Sequence, residues 1–421
     1  MRLLQIASLL IVLAAAFGTV NYFVLRLPSS IGILLVALVT SVAMLALDLV
    51  LPHFALADQL REVVLGIDFS DALLEGMLGL LLFAGALHVK VSDLAKQWPV
   101  VLLMATLGVA ISTAIVGLGF AWVTGMPLLV ALVFGALISP TDPVAVLGVL
   151  RAANLRRSLE TTIAGESLFN DGVGYVVYLI LVGLAFGATG HGAGGGEEPS
   201  QLAAAAQLFA QEALGGALIG LGLGYLVFRI MRRIDDPALE VLITLALAFG
   251  GYELSVALHV SAPIMAVCAG LLIGDIGARH GMSEKTREYV ETFWHLIDEI
   301  LNAVLFLLIG LEVFAVEFEQ SFFLASALAI GLGLLARFGA VAVPILLLRP
   351  LRDFGPGTVP IMTWGGLKGG ISVALALSLP DSEWKALILT ATYCVVIFSI
   401  VVQGLTVGRL ATRVGRQPEL M

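Results

Sequence analysis

Two carboxylates sit in the middle of apolar runs long enough to cross a bilayer. Asp142 lies in Ser139-Pro140-Thr141-Asp142-Pro143, and Asp171 in Gly165-Glu166-Ser167-Leu168-Phe169-Asn170-Asp171-Gly172. Insertion scales put an acid at the centre of a membrane helix at a cost of about 3 kcal/mol, so an acid found there points to an ion or proton site. Ser167 and Asp171 are four residues apart and share one helical face, with Glu166 and Asn170 on the adjacent one. Thr141, Asp142, Ser167 and Asp171, with backbone carbonyls loosened by Pro140 and Pro143, supply the oxygen ligands that a small hard monovalent cation prefers. The sequence has no Cys/His cluster for a transition metal. Its two cysteines, Cys268 and Cys394, lie in apolar spans and read as small buried hydrophobes.

Two bases are also expected within the membrane, Arg337 and Lys368. Lys368 stands in Trp364-Gly365-Gly366-Leu367-Lys368-Gly369-Gly370, a glycine cluster that weakens the middle of its helix as the prolines weaken the one carrying Asp142. Half-helix ends carry partial charges, so Lys368 is expected beside negative ends and Asp142 beside positive ones. Two bases can neutralise only some of the acids, which leaves Asp171 as the titrating group. Asp298 and Glu299, with His295, read as helix-start or interface residues, and His88 and His259 as interfacial ones.

The elements that must position these groups follow from composition. The chain has 421 residues, 59% hydrophobic and 13% charged, with a mean hydropathy of +1.04, whereas a soluble domain carries about 25% charged residues. This is the composition of an all-α polytopic membrane protein. Its 46 glycines suit helices that approach closely in lipid. At roughly 20 apolar residues per crossing, thirteen spans emerge: 3–25, 28–51, 71–89, 97–123, 127–150, 158–189, 203–231, 238–258, 261–278, 290–314, 321–348, 357–379 and 385–410. The first resembles a secretory signal, but its apolar run continues through Tyr22-Phe23-Val24, too far for one.

Basic residues orient the spans. With the N-terminus outside, 17 of them fall on the inner face, among them Arg26, Lys90, Arg151, Arg156, Arg232, Arg287, Arg349 and Arg416, and only Arg2, Arg61 and Lys385 on the outer one. Asp142 and Lys368 are 226 residues apart, and the first and eighth spans start 235 apart. Paired interrupted helices in corresponding positions of two halves point to a transporter site. The expected organisation is a first six-span repeat over 1–190, an outer loop and linker span over 191–237, an inverted second repeat over 238–412, and a short cytoplasmic tail over 413–421. The His191–Pro199 segment reads as a flexible outer loop, and the tail as too short for a regulatory domain.

These motifs, together with Phe293-Trp294, Asn302, Leu305-Phe306 and Gly366-Leu367-Lys368-Gly369, resemble the sodium/proton exchanger (NhaP-type) branch of the monovalent cation/proton antiporters over nearly the whole chain. The resemblance implies a thirteen-helix fold of two inverted repeats whose interrupted helices cross at mid-membrane, a homodimer, and elevator-like movement of a core bundle against a dimerisation scaffold. It also implies that Asp171 binds cation or proton alternately, assisted by Thr141, Asp142 and Ser167, that Asn170 steadies the broken helices, and that Glu166 pairs with Arg337. The Asn170-Asp171 pair resembles the electroneutral branch. Relatives usually carry arginine where Lys368 stands. Many also place an acid after the phenylalanine of the third span, where this chain has Phe83-Ala84-Gly85; Glu75 is a minor substitute.

The expected function is therefore exchange of one Na+ for one proton by alternating access, in a bacterial inner (plasma) membrane, with the C-terminus cytoplasmic. Li+ and K+ are further candidate substrates. A K+/H+ antiporter of the same fold would use the same ligands, and a cation channel or membrane sensor is the rival of another class. No phosphate loop or redox cysteine pair supports an enzyme, and neither a cofactor nor a nucleic-acid partner is expected.

Overall fold

The computed structural model describes residues 3–50, 74, 77–142, 146, 157–187, 201–315, 322–355 and 357–414. Pro143, Glu75, the loop at 191–199 and Arg2, Arg61, Arg151, Arg156 and Arg416 lie outside the described residues. Among the described residues every regular element is helical. In hydrocarbon a helix satisfies its own backbone, which an open strand cannot do.

In chain order the helices are α1 (Leu3–Val20), α2 (Ser29–Val50), α3 (Leu78–Leu87), α4 (Val91–Thr124), α5 (Leu128–Ile138), α6 (Arg157–Phe186), α7 (Gln201–Met231), α8 (Pro237–Ala257), α9 (Ala262–His280), α10 (Glu284–Leu311), α11 (Phe322–Leu348), α12 (Thr358–Trp364), α13 (Gly370–Leu377) and α14 (Lys385–Val414). Among the described residues nine helices are long and apolar enough to cross a membrane, with shorter apolar ones at Ser29–Met44, Leu78–Leu87 and Leu128–Ile138. Trp122, Leu218, Leu324 and Leu346 point outward, an apolar surface that suits lipid and not water. The chain is a multi-pass membrane protein.

Helix starts are set by local chemistry. Asp236 caps α8, accepting from the amides of Ala238 and Leu239 at 3.0 and 3.2 Å, with Pro237 in the first turn. Ser283 caps α10 by accepting from the Thr286 amide at 3.3 Å. This second cap matters for the site. The apolar run starts at 290, but the helix starts at Glu284, so Asp298 lies mid-helix and not at a helix start.

The interior is built by close helix contacts. Helix α5 packs on α4 and α6, α11 on α4 and α14, and α3 on α9 and α10. At Gly135 an added Cβ would meet the Thr113 carbonyl of α4, so α5 and α4 approach to backbone distance, the small-residue packing that lipid favours. Phe83 of α3 packs on Trp294 of α10 with ring centroids 4.7 Å apart. These contacts wrap α6 and the two breaks that follow α5 and α12.

Candidate functional site

Helix α5 ends at Ile138 and the chain runs non-helically through Pro140, Thr141 and Asp142. A second break separates α12 from α13 at 365–369. The two breaks touch: the Asp142 amide donates to the Leu367 carbonyl at 2.8 Å. The Lys368 ammonium donates to the carbonyls of Ser139 at 3.0 Å and Pro140 at 3.3 Å, and its amide to Ser399 Oγ of α14 at 2.8 Å. An ammonium thus meets the negative end of α5. The Asp142 side chain lies against Gly369, where an added Cβ would stand 2.7 Å from Oδ2. Glycine is required there, because it lets a carboxylate reach the positive end of α13.

Helix α6 faces both breaks. Asn170 donates from Nδ2 to Thr141 Oγ1 at 2.9 Å and accepts from the Thr141 amide at 3.3 Å. Thr141 and Ser167 share a hydroxyl hydrogen bond of 3.0 Å. One asparagine therefore replaces helix partners that the break at Pro140 removes. Glu166, 1% exposed, receives both terminal guanidinium nitrogens of Arg337, one at 2.8 Å and the other as a short contact. Arg337 also donates from Nε to the Met362 carbonyl at 3.1 Å, tying α6, α11 and α12. Gly366 leaves room for that guanidinium, which any Cβ would strike.

Asp171 differs from all of these. It is 6% exposed, and its Oδ1 is buried with no hydrogen-bond partner. It lines a cavity with Thr141 and Asp142, walled by leucines of α3, by Asp298, Asn302 and Leu305 of α10, and by Gly370 and Ser372 of α13. The cavity encloses about 610 Å3 of unfilled space, its open mouth included. Ser167, Asn170, Glu166, Arg337 and Lys368 are not on its wall; they hold the groups that are.

Asp298 and Asn302 are the cavity-wall residues that sequence reasoning misplaced or left without a role. Asn302 donates from Nδ2 to Asp298 Oδ1 at 3.0 Å and to its carbonyl at 2.8 Å. The signal was present in the spacing, since 298, 302 and 305 form one helical stripe, but it shows only once α10 is seen to begin at Glu284. His88 and His295 stack edge to face at 6.0 Å. Among the described residues no three His, Cys, Asp or Glu side chains gather as a metal-holding group, and the cavity oxygens suit a transient hard cation better than a resident metal.

A broken-helix crossing with an unpartnered carboxylate is a geometry that comparison with known proteins can place. The profile described as "Sodium/hydrogen exchanger, transmembrane" matches residues 5–413. The chain belongs to the sodium/hydrogen exchanger family. It is 47% identical over 424 residues to the Na(+)/H(+) antiporter NhaP of Pseudomonas aeruginosa, covering 98% of this chain and 97% of that one. It is 33% identical over 397 residues to the Na(+)/H(+) antiporter NhaH of Halobacillus dabanensis, covering 93% of each. Among solved structures, the sodium proton antiporter MjNhaP1 of Methanocaldococcus jannaschii aligns with a TM-score of 0.75 at 19% identity, covering 99% of this chain and 100% of that one. That likeness shows the exchanger's polytopic helical fold.

Proposed function

We propose that this Na+/H+ antiporter carries its two ions alternately on Asp171, one Na+ for one proton. The observation that carries the proposal is the unpartnered Asp171 oxygen in a cavity bounded by two interrupted helices. Charge bookkeeping supports it. Glu166 is neutralised by Arg337, while Lys368 and Asp142 each lie at a half-helix end of opposite sign. Asp171 is the surplus charge, and a proton or a Na+ cancels it. Thr141 and Asp142 offer further oxygens to the cation, Ser167 and Asn170 hold Thr141 in place, and Glu166, Arg337 and Lys368 are structural support.

The physical consequence is obligatory exchange. A carrier with Asp171 empty and charged faces the cost of moving a bare carboxylate through hydrocarbon; a loaded one, with either ion, does not. Swapping one unit charge for another moves no net charge, so the membrane potential, worth about 2.3 kcal/mol per charge per 100 mV, does not drive the cycle. The reading includes thirteen spans in two inverted repeats, 1–190 and 238–412, joined by 191–237 and followed by the tail at 413–421, with the N-terminus outside and the C-terminus inside. It further includes a homodimer in a bacterial plasma membrane, and no enzymatic chemistry. The meeting of the two breaks supports the repeats, and the basic inner loops support the orientation.

Proteoliposomes containing a pH dye test the proposal. The wild type should move protons against Na+, with Li+ and K+ as comparison ions, at a rate unchanged when the voltage is clamped. Because the ions compete for one carboxylate, raising Na+ tenfold should move the acid limb of the profile toward lower pH. Asp171→Asn should insert normally and show no exchange. Retained Na+-dependent proton movement in that variant would refute the assignment.

A further inference from the structure

Ser372, which lines the cavity that holds Asp171, carries a second buried oxygen without a hydrogen-bond partner, its Oγ. Ser372 is 1% exposed and stands in the first turn of α13, among the buried apolar residues Val373, Ala374 and Leu375. An unsatisfied hydroxyl at such a place costs free energy that alanine would avoid. Three of the other hydroxyls at the breaks are engaged. Thr141 bonds Ser167, Ser139 donates to the Gly135 carbonyl, and Ser399 accepts from the Lys368 amide. Ser326, Thr363 and Tyr393 also carry unpartnered hydroxyls, but none of them lines this cavity.

Direction adds to position. Side chains on a helix lean toward its N-terminus, so the Ser372 hydroxyl leans toward the break at 365–369, where the Asp142 carboxylate lies against Gly369. Asp171 reaches the same space from α6. Two orphaned oxygens on two helices that line one cavity with Asp142 form a donor set that a proton does not need and a cation does. A proton is satisfied by one carboxylate oxygen, whereas a bare Na+ must replace several hydration oxygens.

We infer that Ser372 is a Na+ ligand supplied by the second broken helix, so that the bound cation bridges α6 and α13 while the bound proton rests on Asp171 alone. The inference depends on Asp171 being the exchange site. It predicts an asymmetry: losing the hydroxyl weakens Na+ binding and leaves the proton step intact. At a fixed Na+ concentration, weaker Na+ binding lets protons win sooner, so the acid limb should move to higher pH.

The test measures exchange in proteoliposomes for Ser372→Ala and Ser372→Cys, with thermal unfolding of the purified proteins in Na+-free buffer. Loss of one oxygen ligand should raise the KM for Na+ roughly three- to tenfold in both variants. The maximal rate should stay within about twofold of wild type, and Ser372→Ala should unfold no earlier than wild type. Cysteine nearly preserves the volume of serine but is a poor donor to a hard cation, so it would rescue a packing role and not a ligand role. A wild-type KM in Ser372→Ala, or its restoration by Ser372→Cys, overturns the inference. Either result beside an inactive Asp171→Asn variant leaves the exchange site standing, whereas an active Asp171→Asn variant removes the site itself.

Discussion

Glu166 and Asp171 lie five residues apart on one helix, both almost wholly buried, at 1% and 6% exposure. Their surroundings are opposite. Glu166 is gripped by the two terminal nitrogens of Arg337, whereas an oxygen of Asp171 faces a cavity with no partner. Burial alone therefore does not mark the working acid. What separates a girder from a carrier is whether its charge is already cancelled by a fixed neighbour.

The comparison can be broken most directly by stability. Glu166→Gln strands the Arg337 guanidinium in the interior, and removing one partner of a buried pair costs about 3–5 kcal/mol. Thermal unfolding of the purified variant should show a large fall, with little protein recovered from the membrane. Asp171→Asn removes a surplus charge and should unfold no earlier than wild type. Equal destabilisation of the two variants would mean that both acids are girders, and the distinction would be lost.

A smaller effect is expected at Lys368, which shares features of both. Like Arg337 it is buried and held by fixed partners, but those partners are backbone carbonyls and not a carboxylate. Lys368→Met leaves the Ser139 and Pro140 carbonyls without their donor, at about 1–3 kcal/mol for each buried group left unsatisfied. The variant should unfold earlier than wild type but later than Glu166→Gln, and exchange should fall at least about tenfold as the crossing loses its alignment. Lys368→Arg restores charge without the same geometry, since a planar fork does not reproduce a point donor; its unfolding should recover more than its exchange rate. A Lys368→Met protein with wild-type exchange would show that the crossing tolerates an uncompensated half-helix end.

The parts of this arrangement that were legible in the sequence are those written in local chemistry. Apolar runs gave the helices, Pro140 and the Gly365–Gly370 cluster gave the two breaks, and i, i+4 spacing placed Ser167 and Asp171 on one side of α6. Asp298 was harder to read. Its helix begins six residues before the apolar run does, under a serine cap, so it sat at an apparent helix start. Ser372 carried no local signal. A serine in an apolar helix ordinarily returns its proton to the preceding turn, as Ser255 does to Gly251 and Thr392 to Ile388. Only the fold reveals that this one does not.

The smallest expected effect tests whether α6 and α13 act as one wall. Tyr178, two turns beyond Asp171 on α6, donates its hydroxyl to the Leu375 carbonyl of α13 at 2.8 Å and lies 3.0 Å from Ser378 Oγ. Leu375 is one turn beyond Ser372, so this bond holds the helix bearing the acid against the helix bearing the serine. Tyr178→Phe keeps the ring and removes only the bond, which is worth about 1 kcal/mol. A slight fall in unfolding temperature should result, with less than about a twofold change in the KM for Na+. If Tyr178→Phe instead raised that KM as much as Ser372→Ala, the spacing between α6 and α13 would govern cation affinity, and a change in that spacing would account for the serine's effect without ligation. A stable, Na+-competent Tyr178→Phe protein beside a Na+-weakened Ser372→Ala protein assigns the affinity to the oxygen itself.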